Sequence, residues 1–219
     1  MKSDMGRRLL AEFIGTAFLL AAVIGSGIMA VDLTPDDEGL QLLANAGATV
    51  GVLYVIIMMF GPVSGAHFNP VVTIADAWQG NRPWRDVGPY AIAQISGGAV
   101  GTVLANLMFE LDAVDFSHKV RDGYGQYLGE VVATFGLVLL IFSLVRSGRG
   151  HLAAAGVAAY IGGAYWFTSS TSFANPAVSL TRTLSDTFAG IDPASAPMFV
   201  LMQLLGMALA VGVVRVLYP

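Results

Sequence analysis

Apolar residues run in stretches of spanning length along the whole chain, at roughly Leu9 to Val31, Leu40 to Phe60, Val87 to Phe109, Tyr127 to Val145, Leu152 to Phe167 and Met198 to Tyr218. About 20 apolar residues cross a bilayer as a helix, so the pattern predicts six transmembrane helices, the fifth short if it stops at Phe167. Lys2, Arg7 and Arg8 precede the first stretch in the manner of a signal peptide. Its apolar run of about 23 residues is too long for the roughly 7 to 15 of such a segment. The opening of the run also recurs later in the chain, which favours a retained helix.

That recurrence organises the sequence. Glu12-x-x-x-Thr16 in the first stretch returns as Glu130-x-x-x-Thr134 in the fourth. Asn69-Pro70-Val71 follows the second stretch and Asn175-Pro176-Ala177 the fifth. Tyr90-x-x-x-Gln94-x-x-Gly97 in the third is echoed by Phe199-x-x-x-Gln203-x-x-Gly206 in the sixth. Three landmarks in one order imply two repeats, approximately 7–110 and 124–218, within a single membrane domain covering 1–219. Because each repeat has three spans, the second enters from the opposite side, giving an inverted 3+3 repeat. With both termini cytoplasmic, Lys2, Arg7, Arg8, Arg82, Arg85, Arg146, Arg149 and Arg215 lie inside and Lys119, Arg121 and Arg182 outside, as the positive-inside rule requires. The first external loop, Asp32 to Glu38, has four acids and no base.

Each Asn-Pro sits where a helix has ended. Gly61-Pro62-Val63-Ser64-Gly65-Ala66 precedes the first, and Thr168-Ser169-Ser170-Thr171-Ser172 the second. About ten helix-compatible residues follow, Pro70 to Gln79 and Pro176 to Ser185, too few to span. Irregular backbone at membrane depth is tolerated only where it is buried in protein or lines a watery cavity. Asn is a preferred N-cap and Pro a preferred first helical residue, so each motif reads as the start of a re-entrant half-helix. Inverted symmetry brings the two N-termini together near the midplane, where their dipoles oppose cations and the Asn69 and Asn175 amides offer N–H donors to a neutral hydroxylated solute.

Composition narrows the function classes. Of 219 residues, 55% are hydrophobic and 12% charged, with a mean hydropathy of +0.68, about half the charged share of a soluble domain. The absence of cysteine excludes disulfide frameworks and thiolate sites. A net charge of −4 offers no footprint for nucleic acid. His118 and His151 fall in loops without ligand spacing, no cofactor motif appears, and no catalytic triad or phosphate loop is present. The chain reads as no enzyme, and as an all-α membrane protein of six transmembrane helices and two half-helices. A secondary transporter shares broken helices and inverted repeats but needs an ion-coupling cluster where this chain has Asn, Ser and Thr.

Ser64-Gly65-Ala66-His67-Phe68-Asn69-Pro70-Val71 and Phe173-Ala174-Asn175-Pro176-Ala177 resemble the signature loops of the aquaporin and aquaglyceroporin (major intrinsic protein) family. Val71 stands where Ala is usual. The resemblance covers essentially the whole chain and implies a multi-pass inner-membrane channel for small neutral solutes, assembled as a homotetramer with one pore per subunit. It also implies a selectivity filter at four positions: 20 residues before the first Asn, 12 and 3 before the second, and 3 after it. These are Thr49, Gly163, Ser172 and Val178. The family usually has Arg at the last. A small hydroxyl, no side chain, another small hydroxyl and a branched aliphatic suggest a wide, uncharged constriction that passes glycerol, urea or metalloid hydroxides, unless neighbouring side chains refill the space and leave an ordinary water or glycerol pore. The filter resembles that of bacterial aquaglyceroporins of arsenic-resistance operons, the rhizobial type among them, which implies arsenite and methylated arsenicals as solutes.

Other polar residues have two readings each. Arg182, one helical turn beyond Val178, either lines the outer vestibule or is a solvated residue paired with Asp186. His67 lines or gates the pore, or holds its loop. Glu12 and Glu130 carry protons in a coupled transporter. Their symmetric placement suggests instead that each accepts hydrogen bonds from the backbone of a re-entrant loop. Gln94 and Gln203 read as buried polar links between helices, and Trp78, Trp84 and Trp166 as interfacial anchors.

Overall fold

The structure is a computed structural model that describes residues 4–219; Lys2 lies outside the described residues. The helices are α1 (Met5–Leu33), α2 (Glu38–Ser64), α3 (Pro70–Trp78), α4 (Val87–Met108), α5 (Tyr124–Arg146), α6 (Ala153–Phe167), α7 (Pro176–Thr181) and α8 (Ala196–Leu217). Five of them are long and apolar enough to cross a membrane. The exception among the six expected spans is α6, with 15 residues. A 3-10 turn at Gly150–Leu152 extends it, and at about 1.5 Å per α residue and about 2.0 Å per 3-10 residue the two together cover roughly 28 Å, close to the hydrocarbon thickness.

Helix contacts pair off alike in the two halves: α1 packs on α4 and α2, α5 packs on α8 and α6, and α2 meets α6 across the molecule. Between lipid-surrounded helices the hydrophobic effect gives little drive, so close backbone approach and buried polar links hold such a bundle. Gly97 of α4 lies against α1 so closely that a Cβ would strike the Phe13 carbonyl. Gly206 of α8 stands in the same relation to the Val131 carbonyl of α5, where a Cβ would come within 2.5 Å. These approaches bring Gln94 and Gln203, one turn earlier, into reach of the glutamates described below.

The chain departs from the expected boundaries at the first half-helix entry. The sequence places irregular backbone from Gly61, whereas α2 continues through Pro62 to Ser64. The proline falls in the last turn, where Gly65 adopts φ 96° and closes the helix by donating its N–H to Gly61. The Ser64 carbonyl, left without a helical partner, then accepts from Tyr90 Oη at 2.9 Å and Arg82 Nη2 at 3.1 Å. The second half-helix is shorter than expected, six residues followed by a 3-10 turn at Arg182–Leu184.

Basic side chains gather at the end that carries both helical termini. Arg8 meets Asp86 at 3.1 Å, Arg82 meets Asp76 at 3.0 Å, Arg146 donates to Gln79 at 2.8 Å, and Arg215 donates to the Trp78 carbonyl at 3.0 Å. Lys119, Arg121 and Arg182 lie toward the opposite end, with the acidic α1–α2 connection. Trp78, Trp84 and Trp166 are exposed, as interfacial residues would be.

Gly97→Ala inserts a methyl group into backbone rather than into a movable side chain, so it is expected to destabilise by about 3 kcal/mol, the upper end for overpacking. Gly212→Ala, where a Cβ meets nothing within 4 Å, is expected to be neutral or slightly stabilising. Thermal unfolding of the two variants in detergent checks the contrast, and equal melting temperatures refute it.

Candidate functional site

The two chain segments that enter the bundle between helices, residues 65–69 and 168–175, have a backbone that needs support. Ala66 and Phe68 have φ of 52° and 50°, and Ser172 and Ala174 have 52° and 48°, so left-handed residues fall one and three places before each Asn, with Gly65 at 96° and Thr171 at 61° four places before. Each such non-glycine residue costs of order 1–3 kcal/mol unless its surroundings enforce it. The enforcement comes from two carboxylates with no exposed surface. Glu12 Oε1 accepts from the N–H of His67 at 3.0 Å and from Ser64 Oγ at 2.6 Å, and Oε2 accepts from the N–H of Phe68 at 2.7 Å and from Gln94 Nε2 at 2.8 Å. Glu130 Oε1 accepts from the N–H of Phe173 at 2.9 Å, and Oε2 from the N–H of Ala174 at 2.8 Å and Gln203 Nε2 at 2.6 Å. Both glutamates therefore hold the two N–H groups just before the Asn.

Held this way, the loops deliver Asn69 and Asn175 to the start of α3 and α7. Asn69 Oδ1 accepts from the Val71 N–H at 3.0 Å and Asn175 Oδ1 from the Ala177 N–H at 2.9 Å. Across the centre, Asn69 Nδ2 donates to the Ala174 carbonyl and Asn175 Nδ2 to the Phe68 carbonyl, both at 2.8 Å. An amide nitrogen has two hydrogens, and one on each Asn is left without a protein acceptor. Both Asn line a cavity of about 620 Å³ that runs from Arg82 and His151 at the end bearing the termini to Tyr165 and Arg182 toward the other. Leu19, Val23, Leu53, Leu137, Val157 and Ile161 form an apolar wall. Ala66, His67, Ser172 and Phe173 also line it, and their carbonyls accept no hydrogen bond among the described residues. The passage thus offers acceptors, two central donors and an apolar side to anything within it.

The major intrinsic protein family matches residues 1–169. Aquaglyceroporin AqpS of Rhizobium meliloti (strain 1021) is 50% identical over 212 residues, covering 97% of this chain and 90% of that protein. The chain belongs to the major intrinsic protein family. It is a membrane channel, as the members of that family are, and not an enzyme. The glycerol uptake facilitator protein of Streptococcus pneumoniae (strain ATCC BAA-255 / R6) is 31% identical over 155 residues, 64% of this chain and just under two thirds, 65%, of that relative. The X-ray structure of the aquaglyceroporin from Plasmodium falciparum superimposes with a TM-score of 0.72 at 21% identity, covering 95% of each chain, which establishes the fold.

Of the four positions counted from the family's spacing, Thr49, Ser172 and Val178 line the cavity and Gly163 does not. Gly163 is exposed on the outer face of α6, and a Cβ there would meet only Phe167 at 4.0 Å. The residues of α6 that face inward are Ala153, Ala154, Val157, Ile161 and Tyr165, a row that steps by four from Ala153 to Tyr165 as helix geometry demands. Tyr165 Oη lies 3.3 Å from Thr49 Oγ1, so an aromatic ring stands where the count expected no side chain. The Ser172 hydroxyl is enclosed without a protein partner among the described residues.

Of the two readings of Arg182 the solvated one fails, since the residue lines the cavity and is neither solvated nor paired with Asp186. It is 2% exposed, its guanidinium carbon lies 3.5 Å from the centre of the Phe173 ring, and Nε donates to the Ala189 carbonyl. Asp186 instead accepts from the N–H of His118 at 3.0 Å and meets its ring at 3.1 Å. That pairing holds the Asp186 carboxyl below the usual range and raises His118 above its own. His67 lines the cavity, and its ring contacts Thr73 Oγ1 at 3.0 Å. Tyr165 and Phe173 escaped sequence reasoning, and the four-residue step back from Tyr165 to Ile161 and Val157 was the signal that could have found the first.

Replacing Glu130 with Gln puts an amide donor against the N–H of Phe173 or Ala174. The expected loss is about 3 kcal/mol, because a buried charged acceptor of several hydrogen bonds is removed. Intrinsic-fluorescence melting checks it, and an unchanged midpoint shows that Glu130 does not hold the loop.

Proposed function

We propose that the chain forms a passive pore for water and small uncharged hydroxylated solutes, of glycerol type and including metalloid hydroxides such as arsenite and methylated arsenicals. The observation that carries the reading is the two-sided passage. A polyol or an arsenous acid molecule turns its hydroxyls toward the free carbonyls of Ala66, His67, Ser172 and Phe173, and presents an oxygen to the remaining N–H of Asn69 and Asn175. Its less polar side rests against Leu53, Val157 and Ile161. An ion has no substitute there for its hydration shell, and the N-termini of α3 and α7 oppose cations.

The outer constriction is formed by Thr49, Tyr165, Ser172 and Val178. With Val178 where the family usually carries Arg, that height of the wall lacks both the bulk and the charge of a guanidinium. The 50% identity to a protein named an aquaglyceroporin supports the solute class, as does the glycerol facilitator among the relatives. The metalloid reading rests on the resemblance of the filter to that of arsenic-operon members. The same proposal places the termini on the cytoplasmic side of the inner membrane, where the cluster of Arg8, Arg82, Arg146 and Arg215 satisfies the positive-inside rule, and assembles four chains with one pore each.

Stopped-flow light scattering on proteoliposomes tests the reading with water, glycerol, urea and arsenite. Flux of glycerol and arsenite that follows the solute gradient and survives an uncoupler is expected; a channel passing water but neither solute overturns it. Val178→Arg is expected to lower glycerol permeability roughly tenfold, a barrier increment of about 1.4 kcal/mol, with water flux retained. Unchanged glycerol flux in that variant removes Val178 from the constriction.

A further inference from the structure

Toward the end away from the termini three cations converge, with the carboxylates of Glu38, Glu130 and Asp186 acting on them only from a distance beyond ion-pair contact. Arg182, at the end of α7, is nearly enclosed. Arg121, in the connection between α4 and α5, is 8% exposed, and its guanidinium carbon lies 5.0 Å from the centre of the Phe173 ring on which Arg182 also stacks. Its Nε donates to the Gly190 carbonyl at 2.9 Å. Among the described residues neither guanidinium has a carboxylate within 4.0 Å, and neither has a protein acceptor for its Nη donors. The Nη atoms of both residues keep some accessible surface, toward the recess that they line.

The third cation is Lys119, whose Nζ donates to the Phe188 carbonyl at 2.8 Å and lies 4.8 Å from the centre of that ring. Its ammonium is brought down to about 8, by burial first and then by the neighbouring charges of Arg121 and Arg182. All three side chains line a recess of about 200 Å³ with Glu38, Leu42, Asn45, Thr171 and Phe188. Glu38 supplies the one carboxylate of the recess and makes no ion pair among the described residues. Arg182 belongs both to this recess and to the pore cavity.

Arg121 and Arg182 are buried and Lys119 is exposed beside them, and like charges held this close destabilise one another unless a compensating group is at hand. The protein supplies aromatic faces and carbonyls, which stabilise a cation without neutralising it. We propose that this recess binds a small tetrahedral oxyanion of the phosphate class, and that the bound anion, sharing Arg182 with the pore, slows the passage of neutral solutes. Two guanidinium forks and one ammonium present more donors than the two oxygens of a carboxylate can accept, whereas a tetrahedral oxyanion offers an oxygen to each. The flux effect rests on the proposed pore function; the binding does not.

The experiment has two arms. In the first, inorganic phosphate is titrated calorimetrically into the full chain, purified in a detergent free of phospholipid, at pH 7 and constant ionic strength in sodium chloride. One site per chain is expected, with affinity at least tenfold weaker in Arg121→Gln and in Lys119→Gln, and acetate binding at least tenfold more weakly than phosphate. No saturable binding, equal affinity in both variants, or acetate binding as well as phosphate overturns the site. In the second arm, proteoliposome glycerol flux is measured with external phosphate. A saturable decrease in the unmodified protein is expected, absent from Lys119→Gln, which keeps full flux without phosphate. If phosphate binds but leaves glycerol flux unchanged, the flux half of the proposal is wrong. If glycerol does not pass at all, the pore reading fails while calorimetry still decides the site.

Discussion

Irregular backbone at the centre of a bilayer has no water to satisfy its N–H groups, so the placement of both re-entrant loops depends on the two carboxylates that accept from them. Glu12 and Glu130 each take two consecutive backbone N–H groups and a glutamine amide. The consequences reach in both directions. Outward, Gln94 and Gln203 can approach because Gly97 and Gly206 let α4 and α8 press against the backbone of α1 and α5. Inward, with the N–H groups turned to the glutamates, the carbonyls of the same loops are left as acceptors along the cavity. A single buried charge in each half therefore sets helix packing, loop conformation and the polar face of the passage together.

The centre is closed by a reciprocal exchange. Each Asn caps its own half-helix through Oδ1 and donates through Nδ2 to the last carbonyl before the other Asn. Neither loop can move without breaking a bond made by the other, which keeps one hydrogen of each amide in a fixed position. Fixed donors need no reorganisation when a solute arrives, which lowers the barrier to a neutral oxygen without creating a deep site from which it cannot leave.

Much of this was legible in the sequence because it is written as repetition. Glu12 and Glu130, the Asn-Pro pairs and the Gln-x-x-Gly pairs recur in one order, and duplicated spacing turns isolated polar residues into a symmetric frame. The six apolar stretches appear as helices to within a few residues, including the short fifth. What was not legible depends on loop geometry. Counting 12 residues back from Asn175 assumes a fixed path between α6 and α7, and here that path puts Gly163 on the outer face and Tyr165 against Thr49. Likewise, i, i+4 spacing brought Asp186 to mind as a partner for Arg182, but the helix gives way to a 3-10 turn at Arg182 and an extended residue at Ser185, so the spacing no longer means proximity. Spacing arguments hold inside regular elements and fail where the elements end.

Moving a cation by one turn separates two jobs that a guanidinium in the constriction performs together. In the proposed pore, with Val178 on the wall and Arg182 one turn further along, uncharged side chains set the aperture beside Thr49, Tyr165 and Ser172, while a positive charge stays close to it. Coulomb energy falls only as the inverse of distance, so a positive charge displaced by about 5.4 Å, one helical turn, still opposes an approaching cation. Steric exclusion, by contrast, ends abruptly once the side chain leaves the wall. In the proposed pore the valine is therefore expected to relax size selection far more than charge selection, so that larger neutral solutes are admitted while cations are still opposed.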